Sequence, residues 1–324
     1  MHQLYHGGGR PFYFTLPSPL AGVVGWTVER PIHKLANMRP DASWVDRDSY
    51  PFQSRFQSLS AGDMHYVDEG RGDCVLLVHG TPTWSFEYRH LITALSSRYR
   101  CIAPDHLGFG LSARPAGFAY TPESHSAALG EFVERMRLDR FNLVVHDFGG
   151  PIGLPLALRA ASPVQKLVIL NSFAWPLDDD KMARGARLAG GPVGRFLYKY
   201  ANASQTLIMP SAYGDRKKLT PSIHRQYLEV FRDRDARVQV LHALAKALLQ
   251  SRAHYQSLLD ALPSLRMPAL LLWGMKDTAF QPHQLARWQS LLPHATTVAL
   301  PAAGPWPHEE EPARVAEEIE RFLN

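Results

Sequence analysis

Six short runs, apolar but for Asn142 and Thr297, at 74–78, 101–103, 141–145, 167–170, 269–273 and 297–300, constrain this chain more than any other feature. A strand with one wet face alternates apolar and polar side chains, so a run that is apolar throughout is dry on both faces. Such strands need helices on either side, and helical stretches stand in the gaps at 86–97, 122–136, 150–161, 284–292 and 312–323. The alternation predicts an α/β protein with a doubly wound, mostly parallel sheet. Ahead of it, Leu59 and Met64-His65-Tyr66-Val67 flank Ala61-Gly62-Asp63 and predict a hairpin.

The alternation breaks once, between Leu170 and Pro268. Residues 223–231 and 238–249 there carry apolar side chains at i, i+3 and i+4. An all-helical insertion over residues 176–262 forms a lid above the carboxyl ends of the strands, where open α/β sheets bind ligands. The α/β core is then split into residues 53–175 and 263–324. Residues 1–52 show no period and read as an N-terminal extension, an arm open to a protein partner or a peripheral membrane contact. Residues 11–28 are apolar but broken by Pro11, Pro17 and Pro19, and lack a cationic start and a small-residue cleavage site. They read as neither a secretory leader nor a membrane span, so the expected location is the cytoplasm.

With 324 residues, 45% of them hydrophobic, the chain can bury a sizeable core. The net charge of +5 is concentrated in the lid, where residues 176–262 hold 14 Lys and Arg against 8 Asp and Glu. These cations are dispersed among apolar helical residues instead of forming a stripe, so no nucleic-acid partner is expected. Cys74 and Cys101 lie in separate apolar runs without a C-x-x-C pattern and read as buried free thiols.

The segment Leu143-Val144-Val145-His146-Asp147-Phe148-Gly149-Gly150-Pro151-Ile152-Gly153 carries a buried strand into a helix through a tight turn with small residues beyond it. A side chain on such a turn stands clear of the backbone, because the glycines let neighbouring chain pass closely. Asp147 holds that position. A carboxylate there attacks carbon to form an alkyl ester, although capping of the next helix would also use an Asp. Run 74–78 ends in His79-Gly80-Thr81-Pro82-Thr83-Trp84-Ser85, a turn that predicts a backbone N–H beside Asp147. With the N–H of Phe148 it would form an oxyanion pocket. After the lid, run 269–273 leads into Gly274-Met275-Lys276-Asp277, placing a carboxylate where it can orient a catalytic imidazole.

Taken in order, the His-Gly-Thr-Pro turn, the Asp elbow, the helical lid and Trp273-Gly274-Met275-Lys276-Asp277 resemble the α/β-hydrolase superfamily over residues 53–323. The Asp elbow, with His79-Gly80-Thr81-Pro82-Thr83-Trp84-Ser85-Phe86-Glu87-Tyr88-Arg89 and Pro104-Asp105-His106-Leu107-Gly108-Phe109-Gly110-Leu111-Ser112, is most similar to haloalkane dehalogenase-like proteins. That branch includes OleB-type β-lactone decarboxylases. The resemblance implies an Asp147 nucleophile, a hydrophobic small-molecule substrate under the lid, and no cofactor or metal.

Three departures bear on the chemistry. Dehalogenases follow the nucleophile with a Trp whose indole N–H holds the departing halide, and Phe148 has no donor. Many members carry a second halide donor, Asn or Glu, where Thr81 stands. Trp175, at the start of the lid, is either the substitute donor or an ordinary packed aromatic. The family's basic His lies seven residues before a Pro, and counting back from Pro312 reaches Pro305, which accepts no proton. His308, three residues on, is the candidate base, or else a residue of the following helix start.

The expected activity opens a bond at an electrophilic sp3 carbon through an aspartyl ester, with a halide or the carboxylate of a β-lactone leaving. A missing base favours the lactone, because loss of CO2 can expel Asp147 without water. Epoxide hydrolysis, which needs lid phenols such as Tyr198, Tyr200, Tyr213, Tyr227 or Tyr255, is one alternative. The other is a base-deficient protein that traps its ester or only binds ligand.

Overall fold

Strand burial in the computed structural model, which describes residues 41–178 and 180–324, follows the apolar runs except at 297–300, which lies at the edge of the sheet and buries only Leu300. The strands are β1 (Arg55–Ser58), β2 (Asp63–Glu69), β3 (Cys74–Val78), β4 (Arg100–Pro104), β5 (Phe141–Asp147), β6 (Val164–Ser172), β7 (Ala269–Gly274) and β8 (Thr296–Leu300). Every residue of β3 and β7 is buried, as is all of β4 after Arg100. They form one eight-stranded sheet in the order β1-β2-β4-β3-β5-β6-β7-β8. β1, β2 and β4 pair antiparallel, while the remaining neighbours run parallel. The chain leaves β3 for β4 on one side and resumes at β5 on the other. A crevice therefore opens at the carboxyl ends of β3 and β5, where the winding reverses.

Helices α1 (Arg89–Leu95), α2 (Pro122–Arg135) and α3 (Gly149–Ala157) lie in the first half. The stretch predicted from residue 86 opens with a 3-10 turn, Ser85–Tyr88, before α1. α3 stops at Ala157 instead of reaching 161, two residues after Pro155 removes a helix donor. The lid comprises α4 (Asp180–Gly190), α5 (Pro192–Phe196), α6 (Met209–Ala212), α7 (Pro221–Val230), α8 (Arg234–Ala236), α9 (Ala243–Gln250) and α10 (Arg252–Ala261). Wide π turns at Leu197–Ala201, Ser204–Ile208 and Arg237–His242 interrupt its α-helices. The chain closes with α11 (Pro282–Leu291), α12 (Pro307–Glu310) and α13 (Pro312–Leu323).

One buried network fastens the lid to the core. Glu309 of α12 is ion-paired with Arg89 of α1, and it accepts hydrogen bonds from Tyr213 Oη at 2.8 Å and Tyr227 Oη at 2.5 Å. The end of the expected extension also packs on this body: Tyr50 Oη lies 2.5 Å from Ser85 Oγ, and the Asp46 N–H donates to Gln226 of α7 at 3.0 Å. Residues 1–40, with the partner or membrane contact expected of them, lie outside the described residues. Cys74 and Cys101 are free and buried. Among the described residues no helix is long and apolar enough to cross a membrane.

Candidate active site

Asp147 ends β5 with φ at 49°, the left-handed conformation that turns the chain into α3 two residues later. A Cβ on Gly80 would overlap Asp147 Cβ, and one on Gly149 would overlap the Val78 carbonyl oxygen. Only glycine lets the elbow press against the end of β3. The Thr81 backbone N–H donates to Asp147 Oδ1 at 2.8 Å, and the Phe148 N–H also favours the ionised carboxylate. Ser172 Oγ donates to the Asp147 carbonyl oxygen at 2.6 Å, tying the elbow to β6. His79 shapes the facing turn: its Nδ1–H donates to the Gly80 carbonyl at 2.7 Å, and its Nε2 accepts the His106 N–H at 3.0 Å.

Burial raises the Asp147 carboxyl to about 6, against the pull of the His146 charge and of the two N–H groups. His146 is itself an imidazolium. Its Nδ1 donates to Glu87 at 3.1 Å and its Nε2 to the Pro305 carbonyl at 2.7 Å. Burial alone would lower its pKa, but the Glu87 carboxylate overcomes burial and lifts it to about 9. Glu87 moves the other way. Burial would raise it, and the His146 charge brings it down to about 2. Thr83 Oγ1 donates to the second oxygen of Glu87. Ligand-type atoms of Glu87, His146 and His308 lie within 4.8 Å of one another. Because His146 donates through both nitrogens, the trio fits an ion pair with an adjoining imidazole better than a cation site.

The expected base sits elsewhere than the expectation required. His308 is fully buried, its ring stacked on Tyr88 at 5.0 Å and edge-on to His146 at 4.7 Å. Its Nε2 is 3.7 Å from Glu87, and neither ring nitrogen has a hydrogen-bond partner among the described residues. Burial holds its pKa down to about 3, helped by the neighbouring His146 charge. None of its contacts is with Asp147 or Asp277, because residues 307–310 form α12 and turn its ring inward.

Asp277 lies at the end of β7, buried, with its carboxyl raised by burial. Its Oδ1 accepts the N–H groups of Ala279 and Phe280 at 2.7 and 3.0 Å, and its Oδ2 accepts Asn171 Nδ2 at 2.9 Å. These bonds satisfy the carboxylate without an imidazole. Asn171 also clasps β7 at both atoms of Gly274, accepting its N–H at 2.7 Å and donating to its carbonyl at 3.1 Å.

Trp175 does not serve as the substitute donor. Its Nε1–H donates to Gln284 at 3.0 Å and its ring lies under the Arg287 guanidinium, as a packed aromatic at the junction of lid and core. Phe148 supplies its backbone N–H and an apolar ring, edge-on to Phe173, which stacks on Phe280. Of the five lid phenols, Tyr213 and Tyr227 are engaged by Glu309 and Tyr200 is exposed. Tyr255 is buried against Phe173 at 5.5 Å, and its hydroxyl has no partner among the described residues.

Glu87, His146, Asn171 and Glu309 were not singled out by the sequence. Glu87 offered one signal, an acidic residue between Phe86 and Tyr88, which points to burial with a partner but names none, whereas Glu309 stands in the acidic run Glu309-Glu310-Glu311 and offered none.

The pattern of the α/β hydrolase fold family matches residues 73–312. A haloalkane dehalogenase of Mycobacterium tuberculosis is 38% identical over 281 residues, 86% of this chain and 97% of that protein. A cis-3-alkyl-4-alkyloxetan-2-one decarboxylase of Shewanella oneidensis is 32% identical over 289 residues, 84% of this chain and 89% of the relative. Among solved structures, the haloalkane dehalogenase DatA of Agrobacterium tumefaciens superposes with a TM-score of 0.76 at 22% identity, over 84% of this chain and 96% of that one.

Proposed function

This chain belongs to the α/β-hydrolase family, in the branch that holds haloalkane dehalogenases and oxetanone decarboxylases, and from that premise we propose that it opens β-lactones by decarboxylation, with Asp147 as nucleophile. Asp147 attacks the sp3 ring carbon that bears the lactone oxygen. That C–O bond breaks, leaving an alkyl ester on Asp147 and a free carboxylate on the neighbouring carbon. The bond to the carboxylate then breaks and CO2 departs. Its electron pair becomes the C=C bond, and the ester C–O bond breaks to return Asp147 as a carboxylate. Every atom is accounted for without water.

The observation that carries this reading is the contrast in Asp147's surroundings. Two N–H donors face its carboxylate, while Asp277 is satisfied by Asn171 and its own loop and Pro305 stands where a base would be. Donors that stabilise a carboxylate also make it a better leaving group, which is what the second step asks of Asp147. A halide would find neither an indole at position 148 nor a free one at Trp175. The elbow, Phe148, Phe173 and Phe280 present an apolar wall suited to alkyl chains.

The test is to incubate the protein with a cis-3,4-dialkyloxetan-2-one and, separately, with a bromoalkane. Alkene and CO2 should form from the lactone. The bromoalkane should release at most one bromide per protein, with the alkyl mass retained on Asp147. Sustained release of bromide with alcohol as product would overturn the reading in favour of hydrolytic dehalogenation.

A further inference from the structure

The large hydrophobic side chains that stand exposed among the described residues all fall within one stretch of the lid. They are Leu188, Val193, Phe196, Tyr200, Leu207 and Ile208, each more than half exposed. Water-facing apolar side chains scattered singly over a surface are ordinary, but their confinement to 21 consecutive positions is not. Phe196 and Tyr200 touch, with ring centroids 4.9 Å apart. The inner side of the same stretch faces the site: Gln205 is buried and donates to the Pro82 carbonyl at 3.2 Å, one residue from the Thr81 N–H that holds Asp147. The apolar side chains are thus the outer surface of the segment that roofs the elbow.

The charge around this surface is one-sided. Residues 184–237 hold eleven Lys and Arg against four Asp and Glu. Beside Tyr200 a groove of about 680 Å³ is lined by Arg225, Arg232, Arg234 and Arg237, with Glu229 as its acidic member. Arg225, Arg232 and Arg234 are exposed, and the Arg234 guanidinium lies 5.9 Å from the Tyr200 ring centroid.

We propose that this lid face docks on an anionic phospholipid surface, the apolar side chains entering the headgroup boundary and the arginines meeting lipid phosphates. Aliphatic and aromatic side chains flanked by cations are the composition of an interfacial segment, and the excess of positive charge selects an acidic lipid over a neutral one. A protein partner would be met as well by the apolar side chains, but the arginine groove asks for a dense array of anions. The docking stands apart from the chemistry assigned to Asp147, since it is measured without substrate.

The experiment is flotation of the full chain with vesicles of phosphatidylcholine alone, or with about a quarter phosphatidylglycerol. The protein should float with the acidic vesicles and not the neutral ones. Phe196→Ser with Ile208→Ser, and separately Arg232→Ser with Arg234→Ser, should each lower the bound fraction about tenfold at unchanged melting temperature. Raised salt should reproduce the arginine effect. Absence of flotation, equal flotation with neutral vesicles, or flotation indifferent to both double variants would overturn the proposal. So would a wild-type dimer that Phe196→Ser with Ile208→Ser converts to monomer without vesicle binding, which would make the face an interface between copies.

Discussion

Behind the elbow, two imidazoles crowd one carboxylate, Glu87, whereas just past the end of β7 the carboxylate of Asp277 has backbone and amide partners and, among the described residues, no imidazole. The two regions hold, separately, the parts that a nucleophile's helper pair would need together. The difference teaches that a buried carboxylate's role is set by what satisfies it. Glu87 is held ionised by an imidazolium and pins the 305 loop through it. Asp277 is instead satisfied by two N–H groups of its own turn and the Asn171 amide, with no imidazole among its partners in the described residues.

The strongest way to break this contrast is at the nucleophile. Asp147→Asn should lower lactone turnover by at least about 10³-fold in freshly prepared protein, since an amide of nearly the same shape is a poor nucleophile. Retained turnover would remove Asp147 from the mechanism.

Next in size, Pro305→His should raise the breakdown of an alkyl ester on Asp147 by about 10²–10⁴-fold, followed by intact mass over time. Asp277→Asn should reduce that gain and leave the ester's lifetime in otherwise wild-type protein unchanged. Equal losses in both backgrounds would mean that Asp277 acts on the fold and not through an imidazole.

Glu87→Gln should destabilise the protein by about 3–5 kcal/mol, because it strands a buried imidazolium. The pH dependence carries the sign. Glu87, lowered to about 2, contributes stability that is present above the unfolded value of 4.5 and lost as pH falls through about 2. His146, raised to about 9, contributes stability fully present below 6.5 and lost as pH rises through about 9. Urea midpoints should therefore show a plateau between about pH 4.5 and 6.5 in the wild type, and the variant should lose both flanks.

The smallest effect is a gain. Asp147, raised from 3.8 to about 6, makes a contribution that is full below pH 3.8 and lost as pH rises through about 6. Asp147→Asn should thus stabilise the fold by about 1–3 kcal/mol at pH 8 and leave it unchanged in acid below the unfolded value. Calorimetry at the two pH values checks the sign.

The sheet was legible because strands dry on both faces leave nearly continuous apolar runs, and β3, β5 and β7 lie where those runs lie. The elbow was legible because Gly80 and Gly149 are demanded by contacts close to Asp147. Glu309 was not, since its partner Arg89 is 220 positions away and only the closed fold brings them together. Trp175 and His308 show the same limit from the other side. Spacing placed them near the site, but Gln284 takes the indole N–H, and the short helix α12 turns the imidazole onto Tyr88.

The bond from His146 Nε2 to the carbonyl of Pro305 anchors the loop by its main chain, so the anchor does not depend on which side chain position 305 carries. Two of the four proline codons differ from a histidine codon by one base. On the reading advanced for Asp147, a lineage could pass between expelling its ester by decarboxylation and washing it off with water through a single nucleotide change, leaving the loop's tether untouched throughout.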